Sequence, residues 1–366
     1  MNAMSTGALS KARRLLHTKS PRRTRGVTRH TTALFFSGLL LGGCLSTGSS
    51  FDHRRESTAA SRTMTTGRDI VCTYLAQADP FPPDAREVDV WIPLAKTGRG
   101  QRILKRDVRS PVPYTIASDP DYGNDILHVA LEPPLPERLE VEIDYHVQLL
   151  GNDAAAVEPL PTIRGLQRAL EARGLLTIDE EIRAKAKLAT AGCKTLRDRA
   201  RGIYEFVIQH MAYDKTVPGW GQGDTHRACL LGKGNCTDFH SLFISMARAE
   251  RIPARFKIGI VIPEEASGTI PGYHCWAEFY VPGSGWIPVD ASEAWKHPER
   301  ADYYFGAHVP NRFLVSMGRD IRLVPPSQQG TPVNIFFSPY IEVDGRVFPE
   351  VRAEVRFQDL QHEEAT

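Results

Sequence analysis

Residues Leu139 to Val147 read Leu-Glu-Val-Glu-Ile-Asp-Tyr-His-Val, an unbroken alternation of apolar and polar side chains. A period of two puts one whole face of the segment in a core and the other in water, a demand met by a strand paired into a sheet. Val88, Val90 and Ile92 repeat the pattern, and Pro82-Pro83, Tyr122-Gly123-Asn124 and Pro133-Pro134 punctuate it. The expectation is a small β-sandwich domain over residues 68–150.

Beyond residue 150 the rhythm becomes helical. Thr177 with Glu180 reads as a capping box opening a helix that Gly192 closes, and Thr195 with Asp198 opens a second. After a loop carrying Gly219, Gly221 and Gly223, a third helix is expected from Cys236, with Phe239, Leu242, Phe243, Met246 and Ala247 as its buried stripe. Phe256, Ile258, Ile260 and Ile262 then alternate as a strand; Tyr273–Tyr280 and Trp286–Asp290 read as two more. Phe336–Val343 and Val347–Val355 are joined by Asp344-Gly345, a strong hairpin signal. Residues 151–366 therefore form an α+β unit, helices packed on an antiparallel sheet with further strands at its C-terminal end.

The first 43 residues carry eight lysines and arginines and no acid, and they end in an apolar run from Ala33 to Gly43 followed by Cys44. Eleven residues are too few to span a bilayer and suit the centre of a secretory signal, so residues 1–43 are expected to be a signal peptide of lipoprotein type. Leu41-Gly42-Gly43-Cys44 resembles a lipobox, with Cys44 the acylated residue. Residues 44–67, rich in Ser, Thr, Arg and Ala, read as a flexible tether. The whole chain of 366 residues has a net charge of +2, but the chain beyond residue 43 has 37 basic against 43 acidic residues. A net acidic body disfavours a nucleic-acid partner. Export also puts Cys72, Cys193, Cys229, Cys236 and Cys275 in an oxidising compartment, an odd set that two disulfides and one free thiol would satisfy, with the pairing open.

Cys236 follows Gly234-Asn235 at a helix start, where unpaired backbone N–H groups and the positive end of the macrodipole favour a thiolate. A thiolate hydrolase needs a base and a group that orients it. His274 is expected on a strand face with Trp276, Glu278 and Tyr280, pointing away from Cys275. With a three-residue loop Val281-Pro282-Gly283, His274 falls opposite Asp290; a four-residue loop would turn Asp290 to the other face. His240, one helical turn beyond Cys236, reads as a polar contact beneath the site. A metal held by Cys236, His240, His274 and Cys275 is disfavoured, because His274 and Cys275 diverge and no paired ligand spacing is present. No cofactor is expected.

Gly234-Asn235-Cys236-Thr237-Asp238-Phe239, Arg251-Ile252-Pro253-Ala254-Arg255, His274-Cys275-Trp276-Ala277-Glu278 and Gly285-Trp286-Ile287-Pro288-Val289-Asp290, in this order, resemble the core of the transglutaminase-like superfamily, which has a papain-like cysteine fold. The resemblance covers about residues 195–295, and Tyr304-Phe305-Gly306 and Gly318-Arg319-Asp320 are similar to bacterial members. It implies a triad of Cys236, His274 and Asp290, with Trp276 lining the site. Cys275 stands where the family usually has a small residue, which points to a structural disulfide. The oxyanion donors are expected to be the Cys236 N–H and a group from the Trp220-Gly221-Gln222 loop. The implied activity is amide hydrolysis on protein or peptide substrates through a thioester, in the cell envelope. A cross-linking transglutaminase and a non-catalytic binding scaffold are the alternatives, and oligomeric state is not legible.

Overall fold

The computed structural model describes residues 67–151 and 160–360. The expected signal segment, Cys44 and nearly all of the expected tether lie outside them. The described residues belong to one compact unit, Arg54–Thr366, and no helix among them is long and apolar enough to cross a membrane.

The chain up to residue 151 gives six strands: β1 (Arg68–Ala78), β2 (Val88–Leu94), β3 (Gln101–Arg109), β4 (Thr115–Ser118), β5 (Asp125–Leu131) and β6 (Leu139–Leu149). The alternation predicted for β6 is observed, with Val141, Ile143 and Tyr145 buried. A helical stretch comes next: α1 (Ile163–Arg168), α2 (Glu180–Ala189), α3 (Leu196–His210), the short β7 (Ala212–Tyr213), α4 (Thr225–Leu231), β8 (Lys233–Gly234) and α5 (Cys236–Ala249). The remainder is β9 (Ala254–Val261), β10 (Ser267–Ile270), β11 (His274–Val281), β12 (Gly285–Val289), α6 (Ala291–Lys296), β13 (Arg312–Met317), β14 (Tyr340–Val343), β15 (Arg346–Val347) and β16 (Val351–Asp359).

Two five-stranded sheets, ordered β10-β16-β1-β6-β3 and β15-β14-β2-β5-β4, share one hydrophobic core as a sandwich. The sheets do not divide at residue 150, where the sequence suggested a boundary. β16 lies between β10 and β1, and β14 pairs with β2, so C-terminal strands complete the N-terminal sandwich. The Asp344-Gly345 turn forms as expected, both residues having positive φ, 46° and 68°. Its second arm is short, however: the chain leaves at Phe348–Glu350 and crosses to the other sheet as β16. Pro349 has no N–H to extend the ladder there.

A four-stranded sheet, β12-β11-β9-β13, carries the helices. α5 packs against α2, α3, α4 and α6 and against β9 and β11, and residues Cys236 to Arg248 are all buried. It is thus enclosed on every side, where the sequence suggested one apolar stripe. Its polar side chains find partners inside: Ser245 Oγ and Thr225 Oγ1 are 3.0 Å apart, and Arg248 Nη2 donates to Ala254 O at 2.8 Å. The Thr195–Asp198 capping box is present, whereas α2 is capped by Asp179, not Thr177. α4 was not anticipated, although Asp224 caps its start and Gly232, at φ 60°, its end.

The sheet also buries an ion network. Glu278 on β11 takes Arg255 Nη2 at 2.5 Å and Lys257 Nζ, both from β9, and Arg255 stacks 4.0 Å over the Trp286 ring. Burial pushes the Glu278 carboxyl up, but the charges of Arg255 and Lys257 outweigh it and hold the pKa at about 2. Removing one partner of such a network strands the others, so Glu278→Ala is expected to cost about 3–5 kcal/mol in denaturant unfolding at neutral pH. A folded pKa below the unfolded value of about 4.3 means that this contribution is present above that value. The deficit of the variant should narrow as pH falls from there toward 2, and a difference under about 1 kcal/mol at pH 7 would contradict the network's role.

Candidate active site

Cys236 is the first residue of α5. Asn235 caps the helix by accepting from Thr237 N at 2.9 Å, and Asp238 completes a capping box by accepting from Asn235 N at 2.9 Å. The thiol therefore sits at the positive end of a buried helix, itself only 2% exposed. Its pKa is held well below the usual thiol range, first by a hydrogen bond from Cys275, against the opposing effect of burial, and then by the hydrogen bond and charge of His274.

His274 opens β11, and its Nε2 donates to Asp290 Oδ2 at 2.7 Å. With Nε2 so engaged, Nδ1 is the nitrogen left for the hydrogen bond with Cys236. Burial lowers the His274 pKa, but the charge and hydrogen bond of Asp290, with the hydrogen bond to Cys236, outweigh burial and the opposing charge of Arg312, and the net shift is upward. Asp290 shifts well below its usual range: burial would raise it, and His274 and Arg312 overcome that.

The hairpin register differs from the expected one. The three-residue loop is Pro282–Ser284, Val281 is opposite Gly285, and Ala277 is opposite Val289. Gly283, in the middle of the loop, has φ 82°, a conformation that suits glycine. The pairing is displaced by two residues from one that sets His274 opposite Asp290. An even displacement keeps facing parity, so the two side chains still meet. Asp290 lies just past β12 and caps α6, its Oδ1 accepting from Glu293 N at 2.9 Å and from Ser292 Oγ at 3.0 Å.

His240 is fully buried and joins the two halves of the site. Ala291 N donates to its Nε2 at 3.0 Å, so Nδ1 bears the proton and donates to Cys236 O at 2.7 Å. Burial lowers its pKa, against the pull of Asp290 and Cys236, and the ring is a neutral strut between the starts of α5 and α6. Trp276 stacks on His274 at 6.3 Å between ring centroids and lines a small cavity beside Asp290.

Cys275 departs from expectation. Its side chain leaves β11 opposite to that of His274, yet Cys236 touches both, because α5 begins against the first residues of the strand: the Cys236 and Cys275 sulfurs are 3.3 Å apart. No disulfide forms among the described residues: Cys72, Cys193, Cys229, Cys236 and Cys275 are all free. Cys72 is in the sandwich core, Cys193 follows α2 and Cys229 is on α4, on elements packed into different parts of the fold.

The Trp220-Gly221-Gln222 loop is held by Asp238 and Arg319. Gly221 N and Gly223 N donate to Asp238 at 2.7 and 3.2 Å, and Gln222 O accepts from Arg319 Nη2 at 2.9 Å. Both glycines have positive φ, and a Cβ on Gly223 would fall 2.4 Å from Arg319 Nη1. The Gln222 side chain is exposed, and the Trp220 ring is 40% exposed with Lys215 Nζ 5.6 Å from its centroid. The group that meets the Cys236 N–H is the Tyr213 hydroxyl, carried in by the parallel pairing of β7 with β8, in which Tyr213 lies beside Gly234. Burial, then the Cys236 charge, raise the Tyr213 pKa, keeping the hydroxyl protonated.

Arg312 was also missed. Its Nη2 donates to Asp290 Oδ2 at 2.6 Å, the oxygen that His274 uses, and its guanidinium lies 5.6 Å from the Trp276 ring centroid. Neither residue has a local signal, since a two-residue parallel bridge and an arginine 22 positions away become neighbours of the site through long-range pairing alone. Among the described residues no cluster of three or more His, Cys, Asp and Glu side chains is arranged to hold a metal.

Residues 183–291 match the transglutaminase-like superfamily core. An uncharacterised protein of Haemophilus influenzae is 32% identical over 180 residues, 40% of this chain and 48% of that protein, so the chain spans about half of that relative's length. A solved structure from Cytophaga hutchinsonii, described provisionally as a cysteine protease, superposes over 81% of this chain and 92% of its own with a TM-score of 0.53 at 15% identity, a likeness of fold. Looser still is the periplasmic domain of TgpA from Pseudomonas aeruginosa, at 16% identity over 63% of this chain and 90% of that one, TM-score 0.31. Residues 183–291 of this chain thus carry a transglutaminase-like core, set in an α+β architecture like that of the Cytophaga hutchinsonii structure.

Proposed function

We propose that the protein is a cysteine-dependent amide hydrolase, a peptidase or amidase acting on protein or peptide substrates in the cell envelope, held there by an acylated Cys44. The observation that carries this reading is the line of contacts from Cys236 through His274 to Asp290, with a thiol lowered and an imidazole raised. In that state the Cys236 thiolate attacks an amide carbonyl carbon and the oxygen takes the negative charge. The Cys236 N–H, which the Tyr213 oxygen accepts in the resting site, turns to this oxyanion, and the Tyr213 O–H is the second donor. As the tetrahedral intermediate collapses, the C–N bond breaks and the His274 imidazolium gives its proton to the leaving amine. His274, now neutral, takes a proton from water, which attacks the thioester and releases the carboxylate and the thiolate. Hydrolysis is favoured over cross-linking because water is the acceptor always at hand.

Three outcomes test the proposal. The thiolate–imidazolium pair spans the interval between a lowered thiol pKa and a raised histidine pKa. Alkylation of Cys236 by iodoacetamide should therefore fall less than about twofold between pH 8 and pH 6, whereas an ordinary thiol of pKa about 8.5 would lose roughly seventyfold. A steep loss, or no alkylation at all in the folded protein, would favour the scaffold reading. With denatured casein as the probe, peptide cleavage and ammonia release should vanish in Cys236→Ala and drop about 10²- to 10⁴-fold in Asp290→Asn, with thermal melting followed in both to exclude unfolding. Ammonia release that rises with an added diamine, together with its incorporation, would move the assignment to transglutaminase. Finally, Cys44→Ser should shift the protein from the membrane to the soluble fraction, and an unacylated wild-type Cys44 by mass analysis would rule out the anchor.

A further inference from the structure

Cys275 makes and breaks no bond in the amide chemistry above, where it only donates a hydrogen bond to Cys236, and its sulfur is 3.3 Å from that of the nucleophile. A disulfide bond is about 2.05 Å long, so about 1.3 Å of approach separates the two thiols from one. Both are free and buried, and Thr237 Oγ1 lies 3.1 Å from the Cys275 sulfur. The pair is also chemically unequal. Burial, then the hydrogen bond to Cys236, keep Cys275 protonated, while Cys236 is ionised. Cys72 and Cys229 are both raised by burial, which leaves Cys236 as the described cysteine with a lowered pKa.

We propose that Cys236 and Cys275 are a peroxide-responsive modification site, in which hydrogen peroxide oxidises Cys236 and Cys275 closes a reversible disulfide on it. The Cys236 thiolate attacks one peroxide oxygen; an S–O bond forms, the O–O bond breaks, and the departing hydroxide takes the His274 proton to become water. Sulfur is oxidised to a sulfenic acid and peroxide is reduced. Cys275 then attacks the Cys236 sulfur, the S–S bond forms, the S–O bond breaks, and hydroxide leaves with the Cys275 proton as a second water. A dithiol restores both thiols by two exchanges. Without a neighbour to resolve it, the sulfenic acid would go on to the irreversible sulfinic acid. The disulfide holds the nucleophile out of use and protects it. This needs only the reactive thiolate, so it stands apart from the amide chemistry proposed above.

The test reads mass, not turnover. Reduced protein is exposed to hydrogen peroxide, blocked with iodoacetamide and digested without reductant. The expected product is the Cys236 peptide joined to the Cys275 peptide and lighter by two hydrogens, with dithiothreitol restoring nearly all Cys236 labelling. In Cys275→Ser, and in Cys275→Ala as a second variant, the same exposure should convert Cys236 to sulfinic acid and cut recoverable labelling at least tenfold. Circular dichroism establishes that each variant is folded, and should neither fold, the wild-type disulfide map decides by itself. Three results would overturn the proposal: equal sulfinic acid in wild type and variant, a disulfide joining Cys236 to Cys193 or Cys229, or a Cys236 that stays reduced. A protein inert toward amides that still forms the Cys236–Cys275 bond would refute the hydrolase reading and leave this one standing.

Discussion

The Asp290 carboxylate meets four donors with two oxygens. Oδ1 caps α6 through Glu293 N and Ser292 Oγ, and Oδ2 receives His274 Nε2 and Arg312 Nη2. A carboxylate out of water needs several such partners, because desolvation alone would protonate it. The four come from three places: two from the start of α6, one from the first residue of β11 and one from the first residue of β13. Their convergence fixes the imidazole ring, and with it the ring nitrogen turned toward Cys236. His240 reinforces the same geometry from below, since its two nitrogens tie the carbonyl of Cys236 to the backbone N–H that follows Asp290.

Charge explains why this arrangement can remain buried. Outward from α5, the groups are the Cys236 thiolate, the His274 imidazolium, the Asp290 carboxylate and the Arg312 guanidinium, alternating in sign and summing to zero. An isolated ion there would neutralise, whereas an alternating row lets each charge stabilise the next. Arg312 has a cost built into its position: it deepens the ionisation of Asp290 while opposing the positive charge on His274. The histidine is raised all the same, which shows that Asp290, bonded directly to the ring, outweighs the arginine bonded behind it. His240 contributes no charge to the row, as its bare Nε2 must accept from Ala291.

The features legible in the sequence are those that local chemistry enforces. Asn235 beside Cys236, with Asp238 three residues past the cap, marks a helix start from the capping pattern alone, and the thiol's electrostatic setting comes with it. The meeting of His274 with Asp290 was legible as a parity, although the register was displaced by two, because side-chain facing depends only on odd or even spacing. The crossing of β16 into the N-terminal sandwich was not, since a strand carries no mark of which distant strand it will pair with. Cys275 was misjudged for a related reason. Alternation correctly separates it from His274 on β11, but a helix end placed across the start of that strand is near both faces. The helix α4 was hidden by the glycine loop before it, although Asp224 and Gly232 marked its ends.

The sandwich, then, is part of how the site is built. β13 is an edge strand of the helix-bearing sheet, and an unpaired edge is free to shift or to recruit another strand. Here two side-chain amides from the sandwich cover it. Gln101, the first residue of β3, accepts from Leu314 N at 2.6 Å and donates to Leu314 O at 2.9 Å; Asn124 does the same to Met317, at 2.7 Å in each direction. Each amide satisfies one donor and one acceptor of the edge as a neighbouring strand would. The strand held in this way begins with Arg312, whose guanidinium must reach Asp290. β10 adds a second tie, for it pairs with β16 in the sandwich only four residues before His274. Two members of the buried charge row, the arginine and the histidine, are thus placed by strands anchored to the sandwich, while the thiolate is placed by α5. The C-terminal strands that complete the sandwich bear on the surroundings of Cys236 through this connection.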